Sequence, residues 1–339
     1  MQAFFKYLII IILPLELIKA NVFINQAGYL SNLPKIFYTD SATDSFYVVD
    51  VSTGNVAFKD GLFYSVSNDP ATGLTLYGGE FSSLETDGSY FIRLSNGDSS
   101  FIFTITPDVF EDALNKTLKG YYFQRCGTAL LQVNAGVFFH PTCHSEDGYY
   151  HSSTGQSGFR LTTGGWHDAG DYGKYIVNAG ISVGTLLLAY ENFPEKFNMD
   201  DLNIPESGNG VPDLLDEVRY ELEWFLTMQK DNGGIYFKIT KEQFESFIMP
   251  NNDFGTRYIY ELSSNATADF AAVMAMAARI FQTYDSQFAE QCLNASLLGW
   301  NYLSSNPIIV PPGGFTNPSG TFTGVYGDNN DSDERLWAA

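Results

Sequence analysis

GGWHDAGDYGKY, residues 164–175, puts one histidine, two aspartates three positions apart, a lysine and four glycines into a single short stretch. Glycine at that density supplies a backbone that turns sharply and leaves room for close approach. The residues that follow, YIVNAGISVGTLLLAYENF from Tyr175, are apolar at three- and four-residue spacing and predict a helix. Asp171 stands just ahead of that run. It reads equally well as a helix N-cap and as a reactive carboxylate paired with Asp168.

Working outward, four more helices follow from the same periodicity. They are VFEDALNKTLKGYYFQRCGTAL before the glycine-rich stretch, and VPDLLDEVRYELEWFLTMQ, ATADFAAVMAMAARIFQTY and SQFAEQCLNASLLGWNYLSS after it. Pro212 suits the first helical position of the VPDLL helix. Gly-rich loops separate the helices, so residues 108–339 read as an all-α array whose loops carry function.

Upstream the rhythm is different. Between Asn21 and Pro107, seven short stretches alternate and are rich in β-branched and aromatic residues: VFINQAGY, KIFYTD, SFYVVDVS, VAFKDGLFYSV, LTLYGGEF, SYFIRLS and SSFIFTI. Turn sequences such as STGN, SNDPATG and SNGD separate them. The pattern predicts an all-β sandwich over 21–107. This segment holds no cysteine or tryptophan, which excludes an antibody-type disulfide core.

The opening MQAFFKYLIIIILPLELIKA has an early lysine, an apolar run and Ala20 as a cleavage position, and reads as a secretory leader over residues 1–20. The alternative is an uncleaved anchor. Sequons at Asn115, Asn265, Asn294 and Asn330 agree with a secreted, extracellular protein. A formal net charge of −21 disfavours nucleic acid and anionic membrane surfaces as partners. With 45% hydrophobic and 17% charged residues the chain is globular. Its 16% of aromatic residues include flat faces on which sugars stack.

All four histidines lie between His140 and His167, with Cys126 and Cys143 close by. Two thiolates and two imidazoles, from Cys126, Cys143, His144 and His167, make a closed tetrahedral zinc set. A Cys126–Cys143 disulfide is the competing reading. His140 and His151 read as loop histidines without a role, and Cys292 as a buried helical thiol.

GGWHDAGDYGKY is similar to the hallmark stretch of glycoside hydrolase family 9, the endoglucanases built on an (α/α)6 barrel. INQAGYL, FQRCG, HPTCH, IPESGNGVPDLLDEVRYELEWFLTMQ, GGIYFKIT and DSDERLWAA resemble the subgroup with an N-terminal immunoglobulin-like domain. The resemblance runs from about residue 22 to the last residue. It implies hydrolysis of β-1,4-glucan with inversion, with Asp171 as general base and Asp168 helping to hold the water. It implies a structural zinc on Cys126, Cys143, His144 and His167, and calcium near Asp333 and Glu334. Asp171 at a helix N-terminus is expected to be stabilised as a carboxylate.

The family's acid glutamate falls in its last quarter, and this chain ends in DERLWAA, within an expected helix. About half of the barrel is expected here, without that glutamate, and the chain alone is expected to be inactive. A non-catalytic glucan-binding relative or degenerate fragment is the alternative. An unrelated zinc hydrolase is a third reading, weakened by the lack of HExxH.

Overall fold

The computed structural model describes residues 21–339, and the leader reading of residues 1–20 lies outside them. The chain divides after Leu114 into two compact units.

The first unit is a β-sandwich. One sheet has the order β1 (Val22–Phe23), β2 (Ile36–Thr39), β6 (Leu76–Glu80), β5 (Phe63–Val66). The other has β4 (Val56–Gly61), β3 (Ser45–Asp50), β7 (Gly88–Leu94), β8 (Phe103–Ile105). Along β7, Tyr90, Ile92 and Leu94 turn inward, following the period of two that identified the strand. Phe37, Phe46, Phe81 and Phe103 fill the core with edge-on and tilted ring contacts. VAFKDGLFYSV is not one strand: it breaks at Leu62 and continues in the opposite sheet.

The second unit is helical: α1 (Glu111–Phe123, which begins before the division), α2 (Gln132–Ala135), α3 (Ile176–Asn192), α4 (Asp213–Met228), α5 (Ser264–Phe281), α6 (Ser286–Ser305) and α7 (Ser332–Ala338). Its core centres on α5, whose Phe270, Val273, Met274, Ala277 and Phe281 are buried. At Gly299, α6 packs against Ala271 and Phe270. Cys292 is buried on α6, as its apolar surroundings predict.

Several sequence expectations need correcting. Pro212 is the N-cap of α4, one position before N1. Asn265 is only 3% exposed in the first turn of α5, with its amide bonded to Asn330 and Glu334, so that sequon is closed in the folded state. His140 and His151 are buried, and His151 stacks on Tyr260. Asp171 is not a cap. Residues 174–175 form strand β10, and α3 begins only at Ile176, with Tyr175 as its N-cap. The helix-terminus argument for the Asp171 carboxylate therefore falls.

Short strands that helical periodicity does not reveal anchor the loops: β9 (Tyr149–Tyr150), β11 (Ile235–Tyr236), β12 (Lys238–Thr240), β13 (Tyr258–Ile259) and β14 (Leu262–Ser263). Strands β10, β12, β13 and β9 form one small sheet in that order. Among the described residues no helix is long and apolar enough to cross a membrane.

Candidate metal centre and carboxylate cleft

Two backbone segments run antiparallel at the centre of the site. The Cys126 N–H donates to Gly165 O at 2.7 Å and the His167 N–H to Gln124 O at 2.8 Å, which brings Cys126 beside His167. Gly165 has φ +73°, and a Cβ there would meet the Trp224 ring at 2.7 Å, so only glycine fits. Buried Lys174, from the same stretch, donates to the carbonyls of Thr162 and Gly164 and pairs with Asp147 at 3.0 Å. The hallmark lysine thus braces the turn.

Cys126, Cys143, His144 and His167 bring their ligand atoms within 4.8 Å of one another. His167 Nε2 is 3.2 Å from His144 Nδ1, Cys126 Sγ is 3.7 Å from His144 Nδ1, and Cys143 Sγ is 3.9 Å from His167 Nε2. An ideal tetrahedron with zinc–ligand bond lengths has N–N edges of about 3.3 Å and S–N edges of about 3.6 Å. The four residues fit such an ion. Both cysteines are free thiols, against the disulfide reading.

The surroundings suit a cation held by thiolates. Burial works to raise the Cys126 thiol, but the Cys143 hydrogen bond and the charges of Lys174, His167 and Arg257 hold it well below the usual range. The hydrogen bond to Cys126, together with burial, pushes Cys143 up. Arg257 Nη1 lies 3.8 Å from Cys126 Sγ. Asp253 Oδ2 stands 3.4 Å from His144 Nε2, and its other oxygen accepts from Lys241 at 2.8 Å. A carboxylate behind a ligating imidazole fixes both ring and tautomer.

From His167 the chain enters the turn that carries both aspartates. Asp168 N–H donates to Gly173 O, and the Tyr172 ring packs on His144 and His167. Asp168 is exposed and Asp171 half-buried. Asn178 donates to Asp168 Oδ1 at 2.8 Å, and the Tyr326 hydroxyl to Oδ2 at 3.1 Å. Burial raises Tyr175 and Tyr326, and the charges of Asp168 and Asp171 add to the effect in both. Asp168 is in direct contact with one of these phenols, and the charge of Asp171 is felt at both. A cleft of about 170 Å³ opens beside Asp168, lined by Tyr121, Gln124, Trp166, Tyr175 and Asn178; Asp171 is not among its lining residues.

The pattern of this stretch, its fold and its metal-fitting tetrad agree with the comparisons. The glycosyl hydrolase family 9 profile matches residues 110–339, and the cellulase N-terminal ig-like domain profile matches 18–99. This chain belongs to glycosyl hydrolase family 9. It is 40% identical over 323 residues to endoglucanase D of Acetivibrio thermocellus, covering 94% of this chain and 51% of that protein. It is 34% identical to a cellodextrinase of Butyrivibrio fibrisolvens, covering 94% and 57%. A metagenome-derived family 9 endoglucanase superposes with a TM-score of 0.86 at 36% identity, over 94% of this chain and 60% of that one. A Zn-binding triple mutant of the family 9 endoglucanase J30 superposes at 0.83 and 33% identity, over 91% and 58%. The chain thus spans about half the length of the curated relatives it matches, and its helical unit is part of an (α/α)6 barrel.

Asp333 and Glu334 occupy the first turn of α7. Asp333 is exposed, and Glu334 Oε1 accepts from Asn265. Among the described residues, neither acid belongs to a cluster of three or more His, Cys, Asp or Glu side chains within ligating reach of one another. Sequence reasoning missed Asn178, Tyr326, Asp253 and Arg257. Asn178 stood within the predicted helix, while the other three lie far along the chain from the groups they serve.

Proposed function

We propose that this chain carries the water-activating half of an inverting β-1,4-glucan hydrolase, with Asp171 as general base and Asp168 as its partner. The observation that carries the proposal is Asp168, held through both oxygens by Asn178 and Tyr326 at the edge of an aromatic cleft. A carboxylate so fixed orients a water molecule, and one three residues on removes its proton. In inverting hydrolysis an acid on the far side of the sugar, about 6.5–9.5 Å from the base, protonates the departing oxygen. No glutamate here is assigned that role. Burial pushes Glu217 up to about 7 and Glu221 up to about 8, but Glu217 is bound to Arg125 and Glu221 to the Trp166 N–H.

Cys126, Cys143, His144 and His167 would hold a structural zinc. Two sulfurs and two nitrogens in a tetrahedron favour that ion, and four protein ligands leave no open position. Bound there, zinc crosslinks three loop segments and fixes the backbone immediately before Asp168. The overall negative charge suits a neutral glucan better than an anionic polymer. The export reading completes this proposal, with the leader and the sequons at Asn115, Asn294 and Asn330 as its support.

The test is Asp171→Asn in the shortest form of the protein that releases reducing ends from carboxymethylcellulose. Turnover is expected to fall by about 10²–10⁴ with folding and cello-oligosaccharide binding retained. Turnover like that of the wild type would remove Asp171 from the mechanism. Binding without turnover in every form tested would leave a glucan-binding module.

A further inference from the structure

Lys238, on β12, is fully buried, an expensive place for an ammonium. Among the described residues no carboxylate pairs with it directly. Its three N–H donors go instead to Asn317 Oδ1 at 2.8 Å, Thr323 Oγ1 at 3.1 Å and Gly324 O at 2.7 Å. The rings of Tyr260, Tyr175 and Phe315 surround it at 4.8–5.5 Å. Burial draws it down to about 7 against the opposing charges of Glu261 and Asp171. An apolar side chain of similar length would leave those three acceptors unpaired, so the lysine's place here is explained by what it holds.

All three acceptors belong to the segment from Asn317 to Gly324, which leads directly into Tyr326. Gly324 N–H donates to the Tyr175 hydroxyl at 3.1 Å. A Cβ on Gly324 would strike Tyr326 at 2.5 Å and the Tyr175 hydroxyl at 3.0 Å, so the segment is packed tightly against both phenols. The Tyr175 and Tyr326 rings meet edge-on at 4.7 Å, and the Tyr326 hydroxyl reaches Asp168. A continuous chain of contacts runs from the ammonium to the carboxylate.

We propose that Lys238 is a positioning residue: it clamps the Asn317–Gly324 segment and thereby holds Tyr326 on Asp168, beside Asp171. This rests on the reading of Asp168 and Asp171 as the water-activating pair. Lys238 acts through the segment alone.

The experiment uses the full chain as wild type, Lys238→Met and Asn317→Ala. Asn317→Ala removes one acceptor of Lys238, together with the Asn317 Nδ2 bond to Thr323 O, at a half-buried position and keeps the test open if Lys238→Met fails to fold. Amide exchange over residues 317–326 is expected to quicken by about tenfold or more in Lys238→Met and by less in Asn317→Ala, with α5 unchanged. With ¹³Cζ-labelled tyrosine, the Tyr326 resonance, identified by its loss in Tyr326→Phe, should move in the direction that Asp168→Asn moves it. In the form that hydrolyses cello-oligosaccharides, kcat should fall about 10–100-fold with KM within about threefold, because no cleft-lining side chain is replaced. An unmoved Tyr326 resonance, or a loosened segment with kcat unchanged, overturns the proposal. The two readings fail separately. A wild-type chain that binds no cello-oligosaccharide removes the glucan reading, while loosening in the variants still supports the clamp.

Discussion

Asp253 places one carboxylate oxygen 3.4 Å from His144 Nε2 across 109 residues of sequence, on the side of the ring away from the Cys–His tetrad. The other oxygen is held by Lys241, so the carboxylate cannot turn away freely. It orients His144, a residue whose own backbone stands at φ +45°. Asp253→Ala is expected to weaken zinc binding by about 10–100-fold without removing a ligand. Competition against a chromogenic chelator measures this, and an unchanged affinity would show that packing alone holds the imidazole.

The tetrad itself predicts about one zinc per chain. Cys143→Ser should lower both metal content and melting temperature, and chelator treatment of the wild type should reproduce the loss of stability. Mass spectrometry of the folded protein under non-reducing conditions should find Cys126 and Cys143 unlinked. A Cys126–Cys143 disulfide there would defeat the metal reading outright.

Gly165 tests the turn that delivers His167. Alanine at φ +73° is strained, and its Cβ would lie 2.7 Å from the buried Trp224 ring. Strain plus overpacking cost about 2–4 kcal/mol together. At this chain length that lowers the melting temperature by roughly 3–6 °C. Gly170 has nothing within 4 Å of such a Cβ and no positive φ, so Gly170→Ala serves as the control with little change. Equal losses in both variants would mean that the turn tolerates neither change for reasons other than Trp224.

Residue 165 also marks how far the sequence could be read. Glycine density showed that the turn existed, and the nearness of Cys126, Cys143, His144 and His167 in sequence showed the tetrad. Both signals are local. The hallmark stretch ends in Lys174–Tyr175, which pairs with Lys238–Ile239. That partner lies far down the chain, so the pattern suggested a helix starting near Asp171 where the structure has a strand. Tyr326 and Asp253 were invisible for the same reason: a tyrosine in GVYGDN or an aspartate in NNDFG carries no mark of the carboxylate or imidazole it meets. In the β-sandwich, alternation found the strands. It did not show that Leu62 divides one of them between two sheets, because period two reports a face and not a partner.

Asp269 on α5 gives a pH prediction whose sign is fixed by burial. It is 2% exposed, its Oδ1 has no hydrogen-bond partner, and burial, reinforced by Glu334 and Asp333, pushes it up to about 8. An unfolded aspartate titrates near 3.9. Between those values the folded chain keeps a proton that the unfolded chain has released. The contribution to stability is therefore fully present below about pH 4 and is lost as pH rises through about 8. Asp216 and Glu217, raised to about 6 and about 7 mainly by burial, act in the same direction, so the wild type should melt higher at pH 5 than at pH 8. Asp269→Asn keeps the shape and removes the titration. It should narrow that difference by at least about 4 °C, chiefly by raising the melting temperature at pH 8. Calorimetric scans at pH 5, 6.5 and 8 provide the comparison. If the variant keeps the wild-type pH dependence, Asp269 does not hold a proton in the folded chain, and a cation or a neighbouring donor must be compensating its charge.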